Sequence, residues 1–332
     1  MKSGKDWKFR TEVSPEPLRR PFSLHDQILT LGSCFAEQMG ARLAENKFKV
    51  FVNPTGTVYN PIALHRLIKN ACEKTLPDRS RFVQRDRQYY SLDFHSSFFG
   101  SSEDDLYQKL LEWNQSIKGM VASANVFILT YGTSWVYKTD QSAEPVANCH
   151  KLPGKFFSKH LLSPEEIQWS FSNLHQAITT LNPKAQWILT VSPVRHLKDT
   201  LPLNAVAKSV LRVACHKLSE LDNVCYFPAY EIMTDDLRDY RFYEADLIHP
   251  SETAVDYIWE LFRDAALHKP DLEILDRWEK VRRGLQHRPF NPSGSDYKKF
   301  LQQLDQELMA LSSVLDLSAE IRQIKNLLSE LK

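Results

Sequence analysis

The hydrophobic residues of this chain fall into two alternating textures. Short, nearly unbroken apolar runs rich in β formers lie at 27–31 (QILTL), 125–131 (NVFILTY), 186–191 (QWILTV) and 224–227 (VCYF). The first three stop at Gly32, Gly132 and Ser192-Pro193. Continuous rather than alternating runs of this length predict parallel strands buried on both faces. Between them apolar residues recur at helical spacing: Phe35, Met39 and Leu43 in 34–45, then 103–117, then Val206, Val210, Val213, Ala214 and Leu218 in 204–221. Ser163-Pro164-Glu165-Glu166 is a capping signature, with Ser at the N-cap, Pro at N1 and Glu at N3. Ala254, Val255, Ile258, Trp259 and Phe262 mark a helix over 251–266. This alternation predicts an α/β fold, a three-layer α/β/α sandwich around a parallel sheet. Sites in such sheets sit beyond the carboxyl ends of the strands, which points to the residues after Leu31, Tyr131 and Val191.

The texture changes near residue 270. A loop over 289–295 precedes an amphipathic stretch, 297–331, with Leu301, Leu304, Leu308, Leu311, Leu315, Ile321, Ile324, Leu328 and Leu331 near one face. It reads as one helix broken near Ser318, or as two shorter ones. Either it packs on the body of the chain or it pairs two copies as a coiled coil, making a homodimer. The chain divides accordingly into an α/β domain over 20–266 and a helical C-terminal extension over 267–332.

Composition narrows the class. Among 332 residues, 42 Lys and Arg face 41 Asp and Glu, a net charge of +1. Charge so balanced leaves no sequence-wide basic footprint for nucleic acid. With 42% hydrophobic and 25% charged residues the chain has ordinary globular usage, which excludes disorder and collagen-like structure. The longest apolar runs are far short of the roughly 18 residues of a membrane span, so no membrane partner is expected. The first twenty residues have no apolar leader core. The five cysteines, Cys34, Cys72, Cys149, Cys215 and Cys225, form no C-x-x-C pair, so no structural zinc is expected and the thiols read as reduced and cytoplasmic. Phosphate-cradling and dinucleotide-binding glycine motifs are absent as well.

Two short segments carry candidate chemistry. In Gly32-Ser33-Cys34-Phe35-Ala36 the glycine permits a sharp turn, and the next residues open a helix. A nucleophile there faces backbone N–H groups and the positive end of the helix dipole. Asp246-Leu247-Ile248-His249 precedes the helix over 251–266, a spacing that lets the carboxylate orient the imidazole. Alone, the first also fits a strand-to-helix turn with a small buried Cys, and the second a helix entry with Asp246 as cap and His249 exposed.

Their order along the chain resembles that of the SGNH (GDSL-like) hydrolase superfamily, with a nucleophile turn after the first strand and a late D-x-x-H. More narrowly, the chain resembles the GSCFA family, named for the motif at residues 32–36. Further matching stretches are 53–61 (NPTGTVYNP), 131–137 (YGTSWVY), Cys149-His150, 191–196 (VSPVRH), and Tyr230 through 239–243 (DYRFY) to Asp246 and His249. The resemblance covers roughly residues 20–260 and implies an SGNH-like sandwich. It implies Cys34 in the nucleophile slot with His249 as base and Asp246 as orienter, or Ser33 as nucleophile by a one-residue shift. The frame favours Cys34. By the same resemblance Gly56 matches the second-block oxyanion glycine. Ser134 stands where an asparagine donor is usual, and the hydroxyl or Arg195 could substitute. His150 is a candidate for the site wall.

The function expected is an acyl-ester hydrolase acting on an O-acylated carbohydrate or small hydroxylated substrate. Hydrolysis needs no cofactor. The alternatives are an acyltransferase of glycan modification, which needs an acyl-thioester donor, and a catalytically inactive interaction protein.

Overall fold

In a computed structural model, residues 10–331 are described apart from 141, 143 and 293. Of the first twenty residues, read above as lacking a leader core, the first nine lie outside this range. Five strands form a parallel sheet: β1 (Gln27–Gly32), β2 (Lys49–Val52), β3 (Val126–Tyr131), β4 (Gln186–Val191) and β5 (Val224–Tyr226), in the order β5-β4-β3-β1-β2. Four of them are the unbroken apolar runs. The fifth, β2, is an edge strand of four half-exposed residues, Lys-Val-Phe-Val, too short and mixed to stand out by pattern.

The register places Ile28 beside Val126, and Phe127 beside Trp187. Alternate residues therefore feed two cores. On one face, Leu29, Leu31, Phe127, Leu129, Trp187 and Leu189 meet α2 (Pro61–Glu73), α3 (Glu103–Ser123), α4 (Pro164–Leu181) and α5 (Leu201–Leu218). On the other, Ile28, Val126, Ile128 and Ile188 meet α1 (Cys34–Glu45) and α6 (Glu252–Ala266). Each fully buried Leu, Ile or Phe contributes about 1.5–3 kcal/mol of transfer free energy, so the two faces hold the three layers together. The α/β/α sandwich is thus the architecture found. The capping box of α4 is present, with Ser163 accepting from the Glu166 N–H and Glu166 from that of Ser163.

The α5 stripe differs from the sequence reading. Val206 and Val213 are exposed, and the buried face is Asn204, Ala207, Lys208, Leu211, Ala214, Cys215 and Leu218. The valines are the more apolar choice, but the 204–207–211–214–218 spacing faces the sheet. Pattern also missed two small antiparallel sheets that wrap the α2 side, over 82–100 and over 135–161.

The C-terminal stretch is two helices, α8 (Ser295–Leu311) and α9 (Ser318–Glu330), preceded by α7 (Lys269–Gln286). Leu301, Leu304, Leu308, Leu311, Leu315 and Ile324 are buried in the same core as α1 and α6. That face packs on the body of the chain, the first of the two readings offered for it. Trp278 donates its indole N–H to the Glu45 carbonyl (2.8 Å) and Lys47 pairs with Glu320 (2.6 Å), fixing these helices to the end of α1. Among the described residues no helix is long and apolar enough to cross a membrane.

His65 of α2 is buried between Ser170 Oγ (3.0 Å from Nδ1) and the Tyr131 hydroxyl (2.7 Å from Nε2). Burial lowers its pKa from the ordinary 6.5 to about 3. The folded chain thus keeps His65 neutral where the unfolded chain binds a proton, so this stabilisation is full above pH 6.5 and is lost as pH falls toward 3. We expect about 2 kcal/mol of this loss by pH 5. Chemical unfolding at pH 7, 6 and 5 should show it, and a His65→Gln variant should be less stable at pH 7 but flatter in pH. Equal slopes for both proteins would rule the effect out.

Candidate functional site

The strand order reverses between β1 and β3, which opens a crevice at their carboxyl ends. At the end of β1, Gly32 has φ +124°, and a Cβ there would lie 2.2 Å from the Thr130 carbonyl oxygen of β3. Glycine is what lets the chain turn this close to its neighbour. The Gly32 N–H donates to Asn53 Oδ1 (2.9 Å), its carbonyl accepts from the Val58 N–H (2.9 Å), and the Ser33 N–H donates to the Thr130 carbonyl (3.0 Å).

This turn delivers Ser33 as N-cap and Cys34 as the first residue of α1. The two differ in access. Ser33 is buried, and its hydroxyl caps nothing and has no partner. Cys34 is half-buried. Burial and then the Glu37 carboxylate one turn along push its thiol above the ordinary range. The N–H groups of Cys34 and Phe35 and the Lys208 ammonium pull the other way. The helix N-terminus was expected to yield a low thiol pKa, but desolvation outweighs it. The resting group is a thiol that must hand its proton to a base.

Lys208 was not foreseen. It is 1% exposed and donates from Nζ to the carbonyls of Gly132 and Ser192, each at 2.7 Å, at the ends of β3 and β4. Burial lowers its pKa to about 7, while the Cys34 thiolate opposes that shift. A lysine in the inward stripe of a helix, at position 208 between Asn204 and Leu211, was the signal available. The stronger apolar signal, Val206 and Val213, stands on the face that the fold leaves to solvent.

The second arm is the 246–249 loop. Asp246 Oδ2 accepts from His249 Nδ1 (2.7 Å), and Oδ1 accepts from the N–H groups of Ile248 (2.8 Å) and His249 (3.0 Å). The His249 side chain first, then these two N–H groups, lowers the Asp246 pKa to about 2. With Nδ1 donating to the carboxylate, Nε2 is left to face a reacting group. Leu247 is held at φ +59°, and Arg195 clamps the loop. The Arg195 N–H donates to the Ile248 carbonyl (3.2 Å) and its guanidinium to that of Leu247 (3.4 Å), while it stacks 4.0 Å from the Tyr243 ring centre.

The two arms meet around His196. Burial first, then the charges of Lys208 and His249, lowers the His196 pKa to about 3, and its Nε2 is buried without a partner. Tyr59 packs edge-on against it at 5.1 Å. A Cβ on Gly132 would reach Tyr59 and His196 at 3.1 and 3.2 Å, so Gly132 keeps this corner open. Burial, then Cys34 and Glu37, raises the Tyr59 pKa. Tyr59, His196, Gly132 and Lys208 thus adjoin one another, Cys34 acts electrostatically on Tyr59 and Lys208, and His249 acts on His196; no hydrogen bond joins His249 to Cys34 or Ser33 among the described residues.

The expected oxyanion and wall residues fare differently. The Gly56 N–H is engaged with the Asn53 carbonyl (2.9 Å), and its φ of +63° with the His95 ring 2.7 Å from a would-be Cβ explains the glycine as a turn. Ser134 donates its hydroxyl to the Ala207 carbonyl (3.1 Å), which anchors α5 instead of offering a proton to substrate. Arg195 serves the His249 loop. His150 has Nε2 2.7 Å from the Ser91 carbonyl and stacks on Tyr90 at 4.9 Å, contacts that belong to the small 82–100 sheet. Among the described residues no cluster of three His, Cys, Asp or Glu side chains could hold a metal.

The GSCFA family model matches residues 27–262, which span every element of the site. The chain belongs to the GSCFA family. The family's C-terminal domain, described as that of a GSCFA domain protein, matches residues 278–330, from within α7 to the end of α9. No curated protein matches this GSCFA chain.

Proposed function

We propose that this GSCFA protein is an acyl-ester hydrolase with Cys34 as nucleophile, acting on an O-acylated carbohydrate or another small hydroxylated ester. The observation that carries the reading is the half-buried Cys34 thiol as first residue of α1, where the N–H groups of Cys34 and Phe35 and the charge of Lys208 favour the ionised sulfur. The same donors that stabilise a thiolate suit an oxyanion formed on an acyl carbon bonded to that sulfur.

In the reaction, Cys34 Sγ attacks the acyl carbon and its proton passes to His249 Nε2, oriented by Asp246. The tetrahedral intermediate collapses with cleavage of the ester C–O bond, and His249 returns the proton to the departing alkoxide. Water, deprotonated by His249, then hydrolyses the thioester and regenerates the thiol. A buried Ser33 hydroxyl favours Cys34 over Ser33 in this role. An acyl-thioester donor and a hydroxyl acceptor would use the same steps for transfer.

The test is to trap the intermediate. The protein is mixed with an activated acetate ester, quenched in acid within seconds and digested for peptide mass spectrometry. Acetyl is expected on Cys34, removable by neutral hydroxylamine and absent from His249→Ala. Acetyl on Ser33 would convert the reading to a serine esterase. No acetyl on either residue, in excess of an unfolded control, would end the enzymatic reading.

A further inference from the structure

A large cleft lies away from Cys34. It occupies about 1150 Å³ between α2, α4 and the small 82–100 sheet, and none of Cys34, Tyr59, His196, Lys208 or His249 lines it. A cleft of this size exceeds the roughly 300–1000 Å³ of an ordinary small-ligand pocket. We propose that it binds a neutral oligosaccharide.

Three features set the ligand class. At the rim, Trp169 of α4 presents its indole to solvent with 73% of its surface exposed. Every other tryptophan among the described residues is buried or half-buried, so this ring is not part of a core. An exposed flat ring with a negative π face is a platform for the polarised C–H groups of a pyranose. On the walls, the side-chain amides of Asn70 and Asn173 are half-buried and have no hydrogen-bond partner among the described residues. An amide offers one acceptor and two donors side by side, which matches a vicinal diol. At the floor, Arg81 and Arg66 converge on Asp93, with Arg81 Nε 2.7 Å from Oδ2. Arg66 Nη1 also pairs with Glu144 (2.9 Å), so the floor is a closed set of ion pairs that adds no net positive charge.

Charge decides between candidate ligands. Four cationic side chains line the cleft, Arg66, Lys69, Arg81 and Lys138, against five carboxylates, Asp78, Asp93, Glu144, Glu165 and Glu166. Donors and acceptors are mixed with no excess of positive charge, which disfavours phosphates, nucleic acids and anionic headgroups. Of the apolar lining residues, Leu67, Phe94 and Leu162 are buried, while Ile62 is half-buried and Leu76 is 65% exposed, so beside Trp169 the cleft offers a second apolar contact for the C–H face of a sugar. Hydroxyl groups, which both donate and accept, satisfy such walls. This binding does not rest on the chemistry at Cys34.

The full chain is titrated with neutral hexasaccharides of glucose (β-1,4 and α-1,4), xylose, mannose and N-acetylglucosamine, with tryptophan emission as the readout. At least one is expected to give a saturable change with a dissociation constant near or below about 1 mM. Trp169→Ala should weaken it about tenfold or more, equivalent to about 1.4 kcal/mol. Ligand-observed NMR reads the variants that lack the reporter ring. Asn70→Ala and Asn173→Ala should weaken binding severalfold, while Cys34→Ala should bind as the parent does. Because Trp169 is exposed, its variant is expected to keep the parent's unfolding midpoint. No binding by any of the five up to about 10 mM overturns the proposal. So does binding that survives Trp169→Ala, or binding lost with Cys34→Ala. A proline-free hexapeptide that competes as well as the sugar would reassign the cleft to peptides and likewise overturn it.

Discussion

Cys34→Ala is expected to lower kcat/KM for an activated acetate ester by about 10⁴-fold, to the rate left by binding and backbone donors alone. His249→Ala should cost about 10²–10⁴-fold, the usual span for a lost general base. Asp246→Asn should fall in the same range, because the amide can present its NH₂ to Nδ1 and so stabilise the wrong tautomer. Combining Cys34→Ala with His249→Ala should add little, since the two act as one unit. Ser33→Ala is the informative control. Its hydroxyl has no partner to lose, so activity should stay within about threefold of the parent. Steady-state rates on the purified variants, checked for folding by circular dichroism, decide the matter. A Cys34→Ala protein that retains a tenth of the parent's activity would remove Cys34 from the chemistry, and a dead Ser33→Ala with a live Cys34→Ala would move the nucleophile by one residue.

The fold was legible because four of its five strands, the three inner ones among them, are continuous apolar runs, and a parallel sheet covered on both faces needs that composition. The nucleophile turn was legible for a related reason: Gly32 must stand where β1 brushes Thr130, and the helix must open at once after it. Local pairs were readable too. The Asp246–His249 bond and the Ser163–Glu166 capping box are each set by neighbours three residues apart. What escaped was everything fixed by long-range packing. The Gly56 N–H and the Ser134 hydroxyl suit an oxyanion by type, but the carbonyls of Asn53 and Ala207 engage them, and only tertiary structure says which carbonyl lies within reach. Arg195 looked like an anion receptor, yet its partners are a loop carbonyl and two aromatic rings. The thiol pKa was misjudged because a helix terminus can be read from order along the chain, whereas burial and Glu37 cannot be weighed without coordinates. The leucines of α8 and α9 have the spacing of a zipper, and that spacing is equally served by a core in the same chain.

Lys208 ties stability to chemistry, and Lys208→Met is expected to reveal both. Its folded pKa of about 7 lies below the 10.5 of an unfolded lysine. Between these values the unfolded chain binds a proton that the folded chain does not, so stability rises with pH; it is full above 10.5 and is lost as pH falls toward 7. The thiols of Cys34, Cys72 and Cys215, all raised by burial, work in the opposite sense above about pH 9, which leaves pH 7–9 as the clean window. There the parent should gain about 2–3 kcal/mol, and Lys208→Met should lose that slope. Met leaves the carbonyls of Gly132 and Ser192 without their donor, at about 1–3 kcal/mol each, while removing a buried charge. The sign of the net change at pH 7 is therefore less diagnostic than the slope. The second readout is the pH midpoint of Cys34 alkylation. The Lys208 charge favours the thiolate, so its loss should move that midpoint up and slow alkylation near pH 7, where Lys208 is still about half charged. A structural lysine remote from the sulfur would alter unfolding and leave alkylation unchanged. A shift in alkylation together with a lost stability slope is the signature of an amine that shares its proton balance with the Cys34 thiol.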